Sequence, residues 1–377
     1  MDTSRERIIH FKNATLHQPR ASQPGAFCCP FFPTLSDRFS QSIQMNPSLL
    51  TLDDVVHAQT RLAGGVRVTP CAPSARLGDL AGMEIIVKHD YLQATGSFKE
   101  RGARNALASL TPAQRARGVV AASAGNHALG LAWHGRELGI PVTVVMPRQA
   151  PRVKAGRCHT LGAQVVLHGD TYEDASAHAL ALAANQGLSY VHPFDDLAVI
   201  AGQGTLALEA LLAEPDVDAF VVPVGGGGLL AGVATVVKAL RPDVRVIGVE
   251  PAHAAGLAAA RQAGRPVRTA TLPTLADGLA VALTGAHPFA HAQAFVDDVV
   301  TVSEDDLALA LLAAHEAHGV MLEGAGATAL AACLAGRLPD LSGKRVLVAL
   351  TGANIDPANH ARALRRARVL RAEQVAV

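Results

Sequence analysis

The sequence predicts an α/β fold with mostly parallel sheets and helices on both faces of each sheet. Short β-branched segments alternate with alanine-rich helical segments over most of the 377 residues, a pattern typical of repeated βαβ units. The chain is 49% hydrophobic and contains 34 glycines, so it can bury large cores joined by tight turns. Ligands of such folds bind at the carboxyl ends of the strands, which makes the turns after the strands the candidate functional sites.

The N-terminal segment differs from the rest of the chain in its hydrophobic pattern. Residues 1–44 show no sustained hydrophobic period, and we expect them to be a disordered extension or the product of a mis-assigned start. A transit peptide is the alternative, but Asp2, Glu6 and Asp37 argue against it. The fold is expected to begin near Met45, with a first helix capped by Thr51.

Seven β-branched segments predict strands at residues 84–88, 118–122, 142–146, 164–167, 219–223, 245–249 and 345–350. The longest uncharged stretch, residues 219–237, approaches the length of a membrane span. Its centre, however, contains Pro223 and Val224 followed by four consecutive glycines. A strand, a turn and a helix explain this stretch better than a transmembrane segment does.

Charge and cysteine content narrow the classes of function. The 33 basic and 32 acidic side chains give a net charge of +1, so we expect neither nucleic acid nor a membrane surface as a partner. The five cysteines are odd in number and lack metal-type spacing. They indicate reduced thiols and a cytoplasmic location.

The first unusual turn contains Lys99, in Thr-Gly-Ser-Phe-Lys-Glu-Arg-Gly-Ala after the strand near Ile86. A single lysine here is explained well by a solvated charge at a helix start. A partly desolvated lysine, however, loses its proton readily and forms Schiff bases. Lys99 alone therefore leaves both interpretations open.

Two further turns carry small and polar residues. Residues 123–127, Ser-Ala-Gly-Asn-His, join a strand to a helix, where exposed backbone N–H groups can bind a carboxylate. Residues 351–356, Thr-Gly-Ala-Asn-Ile-Asp, place a hydroxyl at a sheet edge, where it can bond a heterocyclic nitrogen. Considered alone, residues 123–127 are better explained as a helix cap than as a ligand site, and nothing local excludes a turn and helix cap for residues 351–356.

The remaining turn has four consecutive glycines, residues 225–228, before a helix. Such a turn wraps closely around an anion, and the helix dipole favours phosphate. Gly226, Gly228 and Ala231 also fit the dinucleotide fingerprint, and Glu250 stands where a ribose-binding acid would be. An NAD-dependent dehydrogenase therefore remains an alternative, although it leaves the first two turns unexplained.

Together these segments resemble the serine/threonine dehydratase branch of the pyridoxal-phosphate enzymes of fold type II, which are related to the tryptophan synthase β-subunit. The resemblance runs from Met45 to Asp356 and includes further motifs at residues 145–147, 192–196, 201–205, 276–281 and 323–327. It implies two three-layer α/β domains with mostly parallel sheets. The large domain would bind pyridoxal 5'-phosphate through residues 45–115 and 190–370, and residues 116–189 would form a small mobile domain.

The resemblance also implies roles for individual residues. Lys99 would carry the cofactor as an imine and act as the catalytic base, with Phe98 beside the ring and Thr351 facing the pyridine nitrogen. Close relatives have Ser-Gly-Gly-Asn where this chain has Thr-Gly-Ala-Asn, which leaves ring tilt and substrate preference open. The phosphate would be held by Gly225, Gly226, Gly227, Gly228 and Leu229. Asn126 would bond the phenolic oxygen, and the substrate carboxylate would be bound by Ser123, Gly125, Asn126 and His127.

The implied activity is an α,β-elimination that converts L-threonine to 2-oxobutanoate or L-serine to pyruvate, with release of ammonia. Serine racemases share most of these motifs but have a serine at the position of Ala124, which has no exchangeable proton; racemisation is therefore disfavoured. Some relatives bind a divalent ion through a Glu and an Asp six residues further on. This chain has Glu250 at the first position but Gly at position 256, so we predict no metal site. Hydroxyaspartate dehydratase, serine racemase and β-replacement activities stay open as alternatives, and a homo-oligomer, dimer or tetramer, is expected.

Overall fold

The computed structural model describes residues 49–150 and 152–375. The extension predicted for residues 1–44 lies outside them. The strands are β1 (Cys71–Pro73), β2 (Glu84–His89), β3 (Val119–Ala122), β4 (Val142–Met146), β5 (Gln164–Leu167), β6 (Ser189–Tyr190), β7 (Ala219–Pro223), β8 (Arg245–Pro251), β9 (Asp298–Val302) and β10 (Arg345–Leu350).

The helices are α1 (Leu52–Leu62), α2 (Ala75–Ala81), α3 (Lys99–Ala108), α4 (Pro112–Arg117), α5 (Asn126–Leu138), α6 (Arg152–Thr160), α7 (Tyr172–Gln186), α8 (Leu197–Ala213), α9 (Gly228–Leu240), α10 (Gly256–Ala263), α11 (Ala286–Phe295), α12 (Glu304–His318), α13 (Gly324–Leu334) and α14 (Pro357–Val375). Short 3₁₀ turns occupy Asp90–Leu92, Ala252–Ala254, Asp277–Leu279 and Pro339–Leu341. Thr51 caps α1 as predicted, since its hydroxyl accepts from the Asp54 N–H and the Asp54 side chain accepts from the Thr51 N–H.

The strands form two sheets. The larger sheet has the order β1-β2-β10-β7-β8-β9, and every neighbouring pair is parallel except β1 with β2. The smaller sheet has the order β5-β4-β3-β6 and is parallel throughout. These sheets confirm the predicted α/β class.

Helices cover both faces of each sheet. In β2, Ile85 and Val87 pack with α12 and α13 on one face, whereas Ile86 packs with α8 and α9 on the other. In β3, Val119 and Ala121 pack with α3 and α5, and Val120 packs with α7. Strands buried on both faces appear in a sequence as continuous apolar segments, which is why these were predictable.

Three strands escaped prediction from the sequence, and all three lie at sheet edges. β1 is three residues long and includes Pro73, β6 has two residues, and two of the five residues of β9 are exposed. The seven predicted strands are all present. Residues 219–237 form β7, the glycine turn and most of α9. Among the described residues, no helix has the length and apolarity needed to cross a bilayer.

Candidate active site

The lysine turn and the turn after β10 are joined through their backbones. β2 and β10 are parallel neighbours, so the chain leaves both at the same edge of the larger sheet. The Phe98 N–H donates to the carbonyl oxygen of Thr351 (3.0 Å), and the Ala353 N–H donates to that of Gly96 (2.9 Å). Lys99 is the first residue of α3 and is therefore placed by these bonds.

Asn126 connects the smaller sheet to the two joined turns that contain Lys99 and Thr351. It begins α5 after β3, and its Nδ2 donates to Glu323 Oε1 over 2.6 Å. Its Oδ1 accepts from Asn354 Nδ2 at 2.8 Å, and the same Nδ2 donates to the carbonyl oxygen of Thr95 at 2.7 Å. The turns containing Lys99, Asn126 and Thr351 are thus brought together by direct hydrogen bonds.

The amine of Lys99 lies in a partly buried position, and no carboxylate of residues 49–150 and 152–375 pairs with it. Its Nζ donates to the carbonyl oxygen of Pro193 (2.7 Å) and lies 5.2 Å from the centre of the Phe98 ring. Burial lowers the pKa of Lys99 to about 8, although the charge of Glu323 acts in the opposite direction. Near neutral pH a fraction of this amine is therefore uncharged and nucleophilic.

The glycine turn forms a tight cradle at the start of α9. Gly227 has a φ of 92°, in the left-handed region, and no side chain caps the helix N-terminus. A Cβ at Gly226 would overlap the ring of Phe194. Phe194 follows the Pro193 whose carbonyl oxygen accepts from Lys99, so residues 193–194 link the glycine turn to the lysine.

Ser123 and His127 flank Asn126 and are held by structural bonds. The hydroxyl of Ser123 accepts from the N–H groups of Gly125 (3.2 Å) and Ala128 (3.3 Å), as a helix cap would. His127 is buried, with Nε2 3.2 Å from the carbonyl oxygen of Val191. Burial lowers the pKa of His127 to about 3, so the ring is neutral at pH 7 and donates from Nε2. In the part of the chain that the structure describes, Nδ1 has no hydrogen-bond partner. Thr351 is also buried.

Glu323 and Asn354 belong to this cluster but were given no role from the sequence. Burial raises the pKa of Glu323 to about 7, the charge of Asp277 adds to the rise, and the Asn126 bond opposes it. The only signal was position: Glu323 precedes the Gly-Ala-Gly-Ala that opens α13, and Asn354 lies in the turn after β10, residues 351–356. Neither pattern indicates that the two side chains meet at Asn126.

Glu250, the acid required by the dinucleotide interpretation, is already engaged. It is buried at the end of β8, and its carboxylate accepts from the N–H groups of Leu257 (2.7 Å) and Ala258 (2.9 Å). Burial raises the pKa of Glu250 to about 7. Since both oxygens cap α10, the carboxylate is not free for a ribose hydroxyl.

Comparison with known proteins agrees with this arrangement. L-threonine ammonia-lyase from Thermotoga maritima is 46% identical over 308 residues, which cover 82% of this chain and 76% of the relative. The structure of the processed form of threonine deaminase isoform 2 from Solanum lycopersicum has a TM-score of 0.79 and 35% identity, over 85% of this chain and 95% of that one. Serine racemase from Dictyostelium discoideum has a TM-score of 0.77 and 35% identity, over 81% and 99%.

A family model agrees over most of the chain. The model described as pyridoxal-phosphate dependent enzyme matches residues 62–352. That range contains the lysine turn, the turn at residues 123–127, the glycine turn and the first two residues of the turn after β10. The resemblance predicted from the sequence is thereby confirmed, and the chain belongs to the family of pyridoxal-phosphate dependent enzymes.

Proposed function

We propose that this protein is a pyridoxal-phosphate dependent ammonia-lyase that converts L-threonine to 2-oxobutanoate, L-serine to pyruvate, or both, with release of ammonia. The observation that carries the proposal is the Lys99 amine, whose pKa burial lowers to about 8, at the junction of the turns that contain Asn126 and Thr351. The relatives named as threonine ammonia-lyase and threonine deaminase support the same activity.

The residues of the site fit the cofactor. Gly227 has a positive φ and no side chain caps α9, so the turn suits a phosphate group at a helix N-terminus. We propose that the phosphate is bound by Gly225, Gly226, Gly227, Gly228 and Leu229, and that Lys99, Phe98, Asn126 and Thr351 hold the ring. When bound, pyridoxal phosphate supplies an electron sink for the charge that develops at the substrate Cα.

The side chains of this protein then perform binding and proton transfer. Ser123, Gly125, Asn126 and His127 bind the substrate carboxylate at the N-terminus of α5, where the helix dipole favours an anion. Lys99 Nζ accepts the Cα proton as general base. With a pKa of about 8, about one-tenth of the amine is neutral at pH 7.

Two residues favour elimination, and of these Ala124 is the one that disfavours racemisation. Thr351 offers a hydroxyl, which cannot transfer a proton to a pyridine nitrogen as a carboxylic acid would, so charge at Cα is short-lived and loss of the β-hydroxyl is the easier outcome. Ala124 packs against the core of the smaller sheet and has no exchangeable proton for the opposite face of Cα. The similarity to a serine racemase makes racemisation the first alternative to test; 3-hydroxyaspartate elimination and β-replacement remain further alternatives.

We also propose a cytoplasmic homo-oligomer, dimer or tetramer, with the cofactor held by residues 45–115 and 190–370 and with residues 116–189 as a smaller mobile domain. Free thiols at Cys71, Cys158 and Cys333 support a reducing location. The two separate sheets support the division into domains. Light scattering at several concentrations tests the assembly.

The activity is tested with purified protein supplied with pyridoxal phosphate and incubated separately with L-threonine, L-serine and 3-hydroxyaspartate. We expect 2-oxo acid and ammonia in equal amounts, together with a visible absorbance of bound cofactor. Lys99→Ala removes both signals. Lys344→Ala, an exposed lysine at the amino end of β10, is the matched control and retains them.

Three results would overturn the proposal in different ways. An imine absorbance that is recorded before any amino acid is added and that survives Lys99→Ala would reject the assignment of Lys99. Racemised amino acid without 2-oxo acid would favour the racemase and remove the argument from Ala124. A requirement for a nicotinamide would restore the dehydrogenase.

A further inference from the structure

A chain of hydrogen bonds runs from an exposed cation into the proposed active site. Arg157, exposed on α6, donates from Nη1 to Asn354 Oδ1 over 2.9 Å. Asn354 Nδ2 donates to Asn126 Oδ1 (2.8 Å), and Asn126 Nδ2 donates to Glu323 Oε1 (2.6 Å). Four side chains thus connect the surface of the smaller sheet's helical layer to the buried carboxylate.

The donors and acceptors along this series of hydrogen bonds have a fixed order, because one end of the series is a donor and the other is an acceptor. A guanidinium group only donates hydrogen bonds and an ionised carboxylate only accepts them. When Glu323 is ionised, each amide between them must therefore accept on the side of Arg157 and donate on the side of Glu323. Rotating the amide of Asn354 by half a turn would set its NH₂ group against the guanidinium. Arg157 therefore fixes which way the Asn354 amide points.

Asn354 is also confined by the lysine turn. Gly96 has a φ of 82°, and a Cβ at this position would lie 3.0 Å from Asn354 Oδ1. Asn354 Nδ2 also donates to the carbonyl oxygen of Thr95. The amide is thus enclosed by the backbone of the lysine turn on one side and by Arg157 on the other.

Arg157 also connects elements that belong to different sheets. Helix α6 packs in the layer of the smaller sheet, whereas Asn354 follows β10 of the larger sheet. Two further contacts join the same parts: Lys154 lies 3.6 Å from Asp277, and Arg268 pairs with Glu173 at 2.9 Å. Of these three contacts, the one made by Arg157 is bonded directly to the partner of Asn126.

We infer that Arg157 is a positioning residue for the proposed reaction: it holds the Asn354 amide and, through it, the Asn126 amide, so that the active site is complete only when α6 packs against the turn after β10. This inference rests on the proposed function. According to this inference, the Asn126 side chain, which contacts cofactor and substrate, is correctly oriented only when α6 is in place. Arg157 itself touches neither.

The kinetic test compares variants of the cofactor-loaded enzyme with threonine or serine as substrate. Arg157→Ala should lower kcat/KM about 3- to 30-fold, the range for one partly exposed charged hydrogen bond. Arg157→Lys keeps one donor and should restore part of the loss. Arg152→Ala removes an exposed arginine of the same helix for which the described structure shows no bond, and should leave kcat/KM unchanged. Equal values for Arg157→Ala and Arg152→Ala would overturn the inference.

A double-substitution cycle separates positioning from general loosening. If Arg157 acts through Asn354, the variant with both residues replaced by alanine should be no slower than Asn354→Ala alone. Additive losses would overturn the inference, because they would show that Arg157 acts by another route.

Hydrogen exchange provides a readout that does not depend on catalysis. Arg157→Ala should raise amide exchange in residues 123–127 and 351–356 of the full chain, whereas Arg152→Ala should not. Unchanged exchange overturns the role of Arg157 even if activity falls. If the unsubstituted protein releases no 2-oxo acid while exchange responds as expected, the proposed function fails and the coupling stands, so the two failures are distinguishable.

Discussion

Lys88 and Lys99 have opposite electrostatic surroundings. Lys88 is fully buried, and its Nζ donates to Glu209 Oε2 (2.6 Å) and to the carbonyl oxygen of Thr69 (2.7 Å). Lys99 Nζ donates to the carbonyl oxygen of Pro193, and no carboxylate of the described residues lies within ion-pair distance of it. One lysine is neutralised by a carboxylate and the other is left with a neutral partner.

The neighbours of Lys88 extend this difference. Arg101, two positions after Lys99, pairs with Asp90 through Nε (2.8 Å) and Nη2 (2.7 Å) and with Glu209 through Nη1 (2.7 Å). Arg101 holds the pKa of Asp90 below its usual range despite complete burial. Two buried cations and two buried carboxylates thus form a neutral cluster that ties β2, α3 and α8 together. A buried cation with an ionic partner serves structure, whereas one without it is available for chemistry.

The strongest way to break this comparison is to remove the Lys99 amine. Lys99→Met should lower the rate of 2-oxo acid release by about 10²- to 10⁴-fold, the contribution of a positioned general base. Because the substitution also removes a desolvated amine that has no carboxylate partner, thermal unfolding of the cofactor-free protein should occur at the same temperature or higher. A large fall in melting temperature would show that Lys99, too, is structural.

Removing the Lys88 amine should have the reverse effect. Lys88→Met leaves a buried carboxylate undercompensated and should lower the free energy of unfolding by about 3–5 kcal/mol, measured by urea denaturation. The fraction that remains folded should keep its activity. Combining Lys88→Met with Glu209→Gln should recover part of the loss. A loss below about 1 kcal/mol would contradict the structural role.

Acid should reveal other buried bases of the site that stay uncharged. Burial lowers the pKa of His127 to about 3 and that of His192 to about 4. In the unfolded chain each would take up a proton below pH 6.5, whereas in the fold they remain neutral until about pH 4. These two histidines should therefore leave the free energy of unfolding unchanged above pH 6.5. Below it, each should lower that free energy by up to about 1.4 kcal/mol per pH unit. Glu250 and Glu323, whose pKa values burial raises to about 7, act in the opposite direction over the same range.

Urea denaturation at pH 7 and pH 5, carried out on the unsubstituted protein and on His127→Gln, isolates the contribution of His127. The change from pH 7 to pH 5 should be less destabilising for the variant, because one buried base is gone. An identical difference in the variant would show that His127 does not stay neutral in the fold.

The smallest expected effect concerns the charge near Lys99. The rate at which cofactor-free protein binds pyridoxal phosphate should rise as pH passes through about 8, since the neutral amine is the reactive form. The charge of Glu323 favours the ammonium form, so Glu323→Gln should move this midpoint to lower pH. Stopped-flow absorbance from pH 6 to pH 10 measures the midpoint. A midpoint that stays in place or moves upward would contradict the role of Glu323.

The parts of the fold and site that were predictable from sequence are those determined by local pattern. Strands such as β7 are buried on both faces and therefore form continuous apolar segments. Three of the four turns begin within two residues of such a strand, and the lysine turn follows β2 after the 3₁₀ turn Asp90–Leu92. Edge strand β9 is partly exposed and gave no such signal. Asn126 meets Glu323 and Asn354 from 197 and 228 positions away. No local spacing carries that information, because it depends on how the two sheets pack.

The way in which the lysine turn is joined to the turn after β10 affects how such a site can diverge. Two of the bonds that hold the turns together, from Phe98 to Thr351 and from Ala353 to Gly96, involve backbone atoms alone. The third is donated by the side chain of Asn354 to the carbonyl oxygen of Thr95 and does not involve the side chain of residue 351. The identity of the side chain at position 351 is therefore not part of the joint. A mutation can replace the hydroxyl at position 351 by another group while Lys99 keeps its position. New reactions can therefore evolve through this position without loss of the nucleophile.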